Sequence, residues 1–161
     1  MRGIAREAGV DPALVRHYFS TKTELFVEAM RPPIELSTQI AELAKGDPSH
    51  VGERVMNFFV RSWEHPVVGP RVIALMRAAL EQPHVAAYLR MHLVEGVMQN
   101  VALAAGAGNP ARAAITASSQ IFGLAMLRYV AQMEPLASEP PDELTARYAP
   151  ILTRLLTDPA A

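Results

Sequence analysis

The sequence contains no cysteine, which excludes disulfides, thiolate catalysis, iron–sulfur clusters and cysteine-ligated zinc. It also has no run of about 18 apolar residues free of charge, proline and glycine, so no transmembrane helix is expected. An excess of one charge is missing as well: at a net charge of −1, bulk electrostatics point neither to nucleic acid nor to an anionic membrane. These absences favour a cytoplasmic protein with no membrane partner.

The composition is that of a globular protein with a real core. Half of the 161 residues are hydrophobic and 19% are charged, which argues against disorder. The length suits one or two compact units.

The thirteen prolines mostly fall between segments whose apolar residues recur with a helical period. Since proline costs about 3 kcal/mol inside a helix, these positions predict helix boundaries. No segment alternates with period 2, so the fold class is all-α. Pro150 lies inside the last pattern and predicts a kink or a one-residue break. Beyond the first thirty residues, the main predicted helices are 50–64, 70–81, 84–104, 111–133 and 142–157.

The first twenty residues predict two short helices joined by a turn. Residues 2–9 form a helix that ends at Gly9, and residues 12–19 form a second one, with Asp11 as its N-cap and Pro12 as its first helical residue. Two short helices joined by a glycine-containing turn are typical of a helix-turn-helix.

The segment IAREAGVDPALVRHYFSTKTELF resembles the DNA-binding signature of the TetR/AcrR family of bacterial transcriptional regulators. The elements that carry the resemblance are Ile4-Ala5, Ala8-Gly9-Val10, the aromatic run His17-Tyr18-Phe19, and Lys22 followed by Leu25-Phe26. The remaining residues resemble the family only in architecture.

The resemblance implies that helix 12–19 lies in the major groove of operator DNA. Arg16 would donate two hydrogen bonds to the O6 and N7 of a guanine, while Pro12 and Ala13 would contact thymine methyl groups. Many family members have tyrosine at the position of Arg16, which would change the preferred bases. On the alternative interpretation, Arg16 and His17 are merely solvated and Tyr18-Phe19 belongs to the core. The resemblance assigns backbone phosphates to His17, Tyr18 and Lys22.

The resemblance also implies two domains and a homodimer. Residues 1–30 would be a helix-turn-helix head, and residues 31–161 a helical-bundle domain for ligand binding and dimerisation. Family members normally carry a further helix before the Ile4-Ala5 segment, so we expect an incomplete head whose DNA binding is weak or absent. The alternative function is a ligand-binding helical dimer that has lost DNA binding with that first helix.

The predicted helix 84–104 is apolar on more than one side, so we expect protein all around it and an effector cavity between helices 50–64, 70–81, 84–104 and 111–133. The effector would be a largely apolar small molecule, with His92 as the polar anchor; the alternative is a packed core histidine. The expected lining residues are Phe59, Trp63, Met76, Met91, His92, Met98, Phe122 and Met126.

Helices 111–133 and 142–157 are predicted to pair across a two-fold axis as a four-helix bundle. Their outward flank would consist of Leu124, Leu127, Leu152 and Leu156.

No enzyme, metal site or cofactor is expected. Glu81 and His84 have a di-metal spacing, but Pro83 separates them. His84 and His92 are two helical turns apart, too far to share a metal. Ser118-Ser119 indicates close helix packing rather than a nucleophile.

Overall fold

The computed structural model describes residues 1–21, 24, 25, 28 and 42–159, and no β-strand occurs among them. The prediction of an all-α chain is confirmed. The chain divides into two compact units, Met1–Arg31 and Pro32–Ala161.

The first unit begins with helices α1 (Arg2–Glu7) and α2 (Pro12–Tyr18). Gly9 has a φ of +68°, a left-handed conformation that glycine adopts readily, and it lets the chain leave α1. Asp11 Oδ1 accepts a hydrogen bond from the amide of Ala13 at 2.7 Å, so Asp11 caps α2. The glycine stop and the aspartate cap are therefore confirmed.

A capping box follows α2. Thr21 Oγ1 accepts a hydrogen bond from the amide of Glu24 at 3.0 Å, and Glu24 Oε2 accepts one from the amide of Thr21 at 3.2 Å. This reciprocal pair satisfies two amides that a helix N-terminus leaves unpaired, and Glu24, Leu25 and Glu28 are helical.

The second unit is a bundle in which six α-helices are described. A 3₁₀ turn, Pro48–His50, precedes the first of them; a π-helical segment, Arg90–Met98, connects α5 to α6; and a π-helical turn, Met126–Val130, follows α7. The α-helices are α3 (Val51–Glu64), α4 (Val68–Glu81), α5 (Pro83–Leu89), α6 (Gln99–Ala104), α7 (Pro110–Ala125) and α8 (Pro141–Leu156).

Helices α3 and α8 are in close backbone contact at Gly52. The Gly52 amide donates a hydrogen bond of 3.1 Å to Thr153 Oγ1, and a side chain at Gly52 would run into the backbone oxygen of Ala149. Helix α8 continues through Pro150 without a break, so the predicted one-residue interruption is absent. Gly52 and Thr153 thus set the spacing of the two helices.

The expectation that helix 84–104 is surrounded by protein is wrong. Met91 is 54% exposed, and His92 is exposed as well. The cause is the π-helical segment, in which backbone bonds run from residue i+5 to residue i, as from the Gln99 amide to the Val94 oxygen. In this wider turn Val94 and Met98 pack against the core, so the two apolar faces inferred from a 3.6-residue period are not both buried.

Candidate functional site

The surface of α2 carries the residues that the sequence predicts for DNA contact. Ala13, Arg16, His17 and Tyr18 are exposed, and Pro12 is half-buried at the first helical position. The Tyr18 side chain, 70% exposed, meets the His17 ring edge-to-face, with 5.1 Å between ring centroids.

These side chains offer the donors that nucleic acid requires. Arg16 has a planar fork that matches a guanine edge, and Tyr18 and His17 have single donors suited to phosphate oxygens. Lys22, the sixth predicted contact, lies outside the described residues. The DNA contacts as a set remain a prediction.

An apolar cavity of about 400 Å³ lies in the second unit, lined by α3, α4, α5, the π-helical segment and α7. These are the helices between which the sequence predicts a cavity. Its walls are formed by Phe59, Trp63, Val72, Leu75, Met76, Ala79, Leu80, Ala86, Leu89, Arg90, Leu93, Val94, Ile115, Ser118, Ser119, Ile121 and Phe122.

Four of the eight predicted lining residues form part of this wall: Phe59, Trp63, Met76 and Phe122. The rings of Phe59 and Trp63 lie 5.7 Å apart and make an aromatic surface on α3. Ligand binding by these residues stays a prediction.

Met91 and His92 do not line the cavity, because the π-helical segment turns both side chains to the protein surface. The His92 ring stacks on Tyr88 with 4.2 Å between centroids, and its Nδ1 lies 3.1 Å from the Tyr88 backbone oxygen. His92 is therefore neither the buried anchor nor the packed core histidine weighed from the sequence.

Met98 and Met126 are also absent from the lining. Met98 is fully buried in the core, and Met126 packs half-buried against it. Both face inward, but toward other helices rather than toward the cavity. A helical period indicates that a residue is buried without indicating which neighbour covers it.

On α4 the sequence predicts Met76 alone as a lining residue, although the signal for the rest of this wall is in the sequence. Val72, Leu75, Met76, Ala79 and Leu80 follow the i, i+3, i+4, i+7, i+8 spacing of one helical face. The residues from α5 and the π-helical segment had no such signal, since their spacing depends on the π geometry.

Polar groups on the cavity wall are few. Ser119 Oγ donates to the Thr116 backbone oxygen at 2.7 Å, whereas Ser118 Oγ is buried and has no hydrogen-bond partner among the described residues. Arg90 is the one charged residue of the described lining. The wall is thus apolar with a single cation.

A polar cluster lies behind the aromatic surface. The Trp63 ring lies 5.4 Å from the Tyr129 ring, and Tyr129 donates from its hydroxyl to Glu64 Oε1 at 2.7 Å. Burial and this hydrogen bond raise the pKa of Tyr129 to about 12, so its hydroxyl remains protonated at physiological pH. Arg128, 7% exposed, also binds Glu64 and donates to the Leu136 backbone oxygen at 2.6 Å. The cluster joins the end of α3 to the segment after α7.

The predicted outward flank of leucines is mostly wrong. Leu124, Leu152 and Leu156 are buried in the core of the same chain, because the apolar face of α8 is used against α3 and α7. Leu127 is 45% exposed and remains available to a partner.

The described residues contain no group of three or more histidines, aspartates or glutamates placed to hold a metal ion. Within the same residues, no helix has the length and apolarity needed to cross a membrane.

Comparisons with known proteins cover both units. The family model for bacterial regulatory proteins of the tetR family matches residues 1–29, and the model for the tetracyclin repressor-like C-terminal domain matches residues 49–156. The crystal structure of a TetR-family regulator from Streptomyces coelicolor A3 is similar, with a TM-score of 0.62 and 30% sequence identity. The match covers 96% of this chain and 81% of that chain. No curated protein matches the sequence significantly.

Proposed function

Because the chain belongs to the TetR family of bacterial transcriptional regulators, we propose that it is a repressor whose DNA affinity falls when an apolar small molecule occupies its cavity. The observation that carries this proposal is the cavity of about 400 Å³, whose size and apolar walls suit a small-molecule effector. Since its target is chromosomal DNA, we place the protein in the cytoplasm.

The DNA side of the proposal rests on α2. Its exposed face combines Arg16, which reads a base, with Tyr18 and His17, which hold phosphates and fix the position of the helix. Base contacts of this kind supply sequence preference, and phosphate contacts supply affinity.

The ligand side rests on the aromatic surface and the polar cluster behind it. A ligand that presses on Trp63 also displaces Tyr129, which is held by Glu64 through a short hydrogen bond. The movement thereby reaches the segment after α7. For the DNA affinity to fall, the protein must have two conformations that differ in this cluster. The effector must bind one of them more tightly, and DNA must bind the other more tightly.

We further propose a homodimer whose interface lies on the exposed faces of α7 and α8. Leu127, one of the four predicted leucines, and Ile151 are exposed apolar residues of this region. Ile151 replaces the three buried leucines as a candidate contact. A two-fold dimer would bring two copies of α2 to a palindromic operator.

Arg16→Ala is expected to weaken binding to the preferred DNA by roughly 5- to 150-fold, the loss of about 1–3 kcal/mol of base discrimination. The measurement is fluorescence anisotropy at one fixed salt concentration, using DNA from upstream of the protein's own gene and its single-base-pair variants. The wild type should lose affinity when the base pair that contains the contacted guanine is changed. The Arg16→Ala variant should be insensitive to that change, because it no longer contacts this guanine.

Tyr18→Phe is the matched control, since it removes a phosphate contact and should weaken binding to all sequences alike. If Arg16→Ala also weakens all sequences alike, Arg16 contacts phosphate instead of a base. If neither substitution changes binding, α2 is not the helix that reads DNA.

A further inference from the structure

The cavity opens to solvent where Arg90 stands. Arg90 contributes to the cavity wall, yet its side chain is 64% exposed. Four other lining residues are also exposed: Leu80, Ala86, Ile115 and Ser119. These five residues mark the rim, while the aromatic surface of Phe59 and Trp63 is buried.

Among the described lining residues the only charged group is therefore a cation at the rim of an otherwise apolar space. We infer that the cavity selects molecules with an apolar body and one anionic group, and that Arg90 is the residue that determines this specificity. This inference rests on the proposed function, in which the cavity is the effector site.

Burial energetics give this arrangement its selectivity. Apolar walls stabilise an apolar body but cannot replace the hydrogen bonds that polar groups make with water, so sugars and polyanions are disfavoured. A carboxylate at the rim keeps part of its hydration and gains charge-assisted hydrogen bonds from the guanidinium. A quaternary ammonium at the same place would be repelled.

In the structure, the Glu95 carboxylate is paired with the Arg90 guanidinium to which a ligand anion would bind. Arg90 Nη1 donates to Glu95 Oε1 at 2.9 Å. Residues five apart lie on different faces of an α-helix, which has 3.6 residues per turn, but they meet along a π-helix, whose bonds also span five residues. The π-helical segment therefore brings Glu95 over Arg90.

This internal pair is weak enough to be exchanged. Both side chains are largely exposed, and exposed ion pairs contribute little to stability. A guanidinium has five N–H donors and the pair with Glu95 uses one of them. A ligand carboxylate can thus displace Glu95 or bind beside it, and Glu95 tunes the affinity for anions by competing with them.

The test uses three ten-carbon probes that differ in the head group: decanoate, 1-decanol and decyltrimethylammonium. Trp63 is the only tryptophan of the chain and lies in the cavity wall, so its fluorescence reports occupancy directly. Near neutral pH, the wild type should bind decanoate roughly 1.5- to fivefold more tightly than decanol, and the ammonium compound least.

Two substitutions should move this preference in opposite directions. Arg90→Met should bind decanoate no more tightly than decanol, while Glu95→Gln should bind decanoate a few-fold more tightly than the wild type does. Neither should change the affinity for decanol. The matched control is Arg77→Met, since Arg77 is an exposed arginine of α4 outside the lining, and it should bind like the wild type.

The outcomes separate the two levels of the proposal. If decanol binds as tightly as decanoate and Arg90→Met changes nothing, the cavity binds ligands but Arg90 does not select anions, which overturns the inference alone. If no probe changes Trp63 fluorescence, the inference and the proposed effector site both fail. If Glu95→Gln weakens decanoate, Glu95 positions Arg90 rather than competing with the ligand.

Discussion

Leu152→Asp is expected to prevent folding of the second unit. Leu152 is 0% exposed and lies in the core between α8 and its neighbours. Truncating a core leucine costs about 2–5 kcal/mol, and an aspartate in the same place adds the cost of a buried, unpaired charge. Together these approach the total stability of a typical domain, about 5–15 kcal/mol.

Leu103→Asp is the matched control. Leu103 is 64% exposed on α6, so the same substitution should change the free energy of unfolding by only about 0.5 kcal/mol. Circular dichroism during urea unfolding measures both variants. A folded Leu152→Asp variant that has merely become monomeric would restore the orientation predicted from the sequence and would contradict the packing of α8 described above.

Gly52→Ala is expected to destabilise the protein by about 1–3 kcal/mol, the cost typical of an overpacked contact. The sign of this change in stability is informative, because exchanging glycine for alanine inside a helix ordinarily stabilises the helix by about 0.5–1 kcal/mol. At Gly52 the new methyl group would meet the Ala149 oxygen and the Thr153 amide. These are backbone atoms, which cannot turn aside, so α3 and α8 must separate and the Gly52–Thr153 hydrogen bond must lengthen.

Gly123→Ala serves as the comparison, since Gly123 also lies inside a helix but has open space where its methyl group would stand. It should stabilise the protein, as helix propensity predicts. Thermal unfolding of both variants gives the answer. Equal and stabilising effects at the two positions would show that α3 and α8 are not in contact at Gly52.

The sequence predicts the elements whose signals are local. Asp11 before Pro12 marks the start of α2 because an aspartate can cap free amides only at a helix end, and Gly9 marks the turn because few other residues accept a positive φ. The resemblance in residues 4–26 likewise depends on a contiguous motif.

The partners of each helical face are a different matter, because they depend on residues far apart in the chain. Leu152 and Leu127 have equally apolar side chains, but α3 covers the first and leaves the second exposed. His92 was placed in the cavity by assuming 3.6 residues per turn, and the π-helical segment moves it to the surface. No local signal distinguishes Arg90 either, since an arginine in a helix is ordinarily solvated.

The proposed function requires that occupancy of the cavity lowers the affinity for DNA. Its most direct test is the dissociation constant for operator DNA, measured by fluorescence anisotropy with and without a saturating compound that changes Trp63 fluorescence. In the wild type the dissociation constant should rise roughly 5- to 150-fold, the range of typical allosteric couplings. Ala79 lines the cavity, so Ala79→Phe fills part of it and leaves α2 unchanged. This variant should bind DNA like the wild type, and the compound should not change its dissociation constant. An unchanged dissociation constant in the wild type at full occupancy would show that the cavity does not control DNA binding.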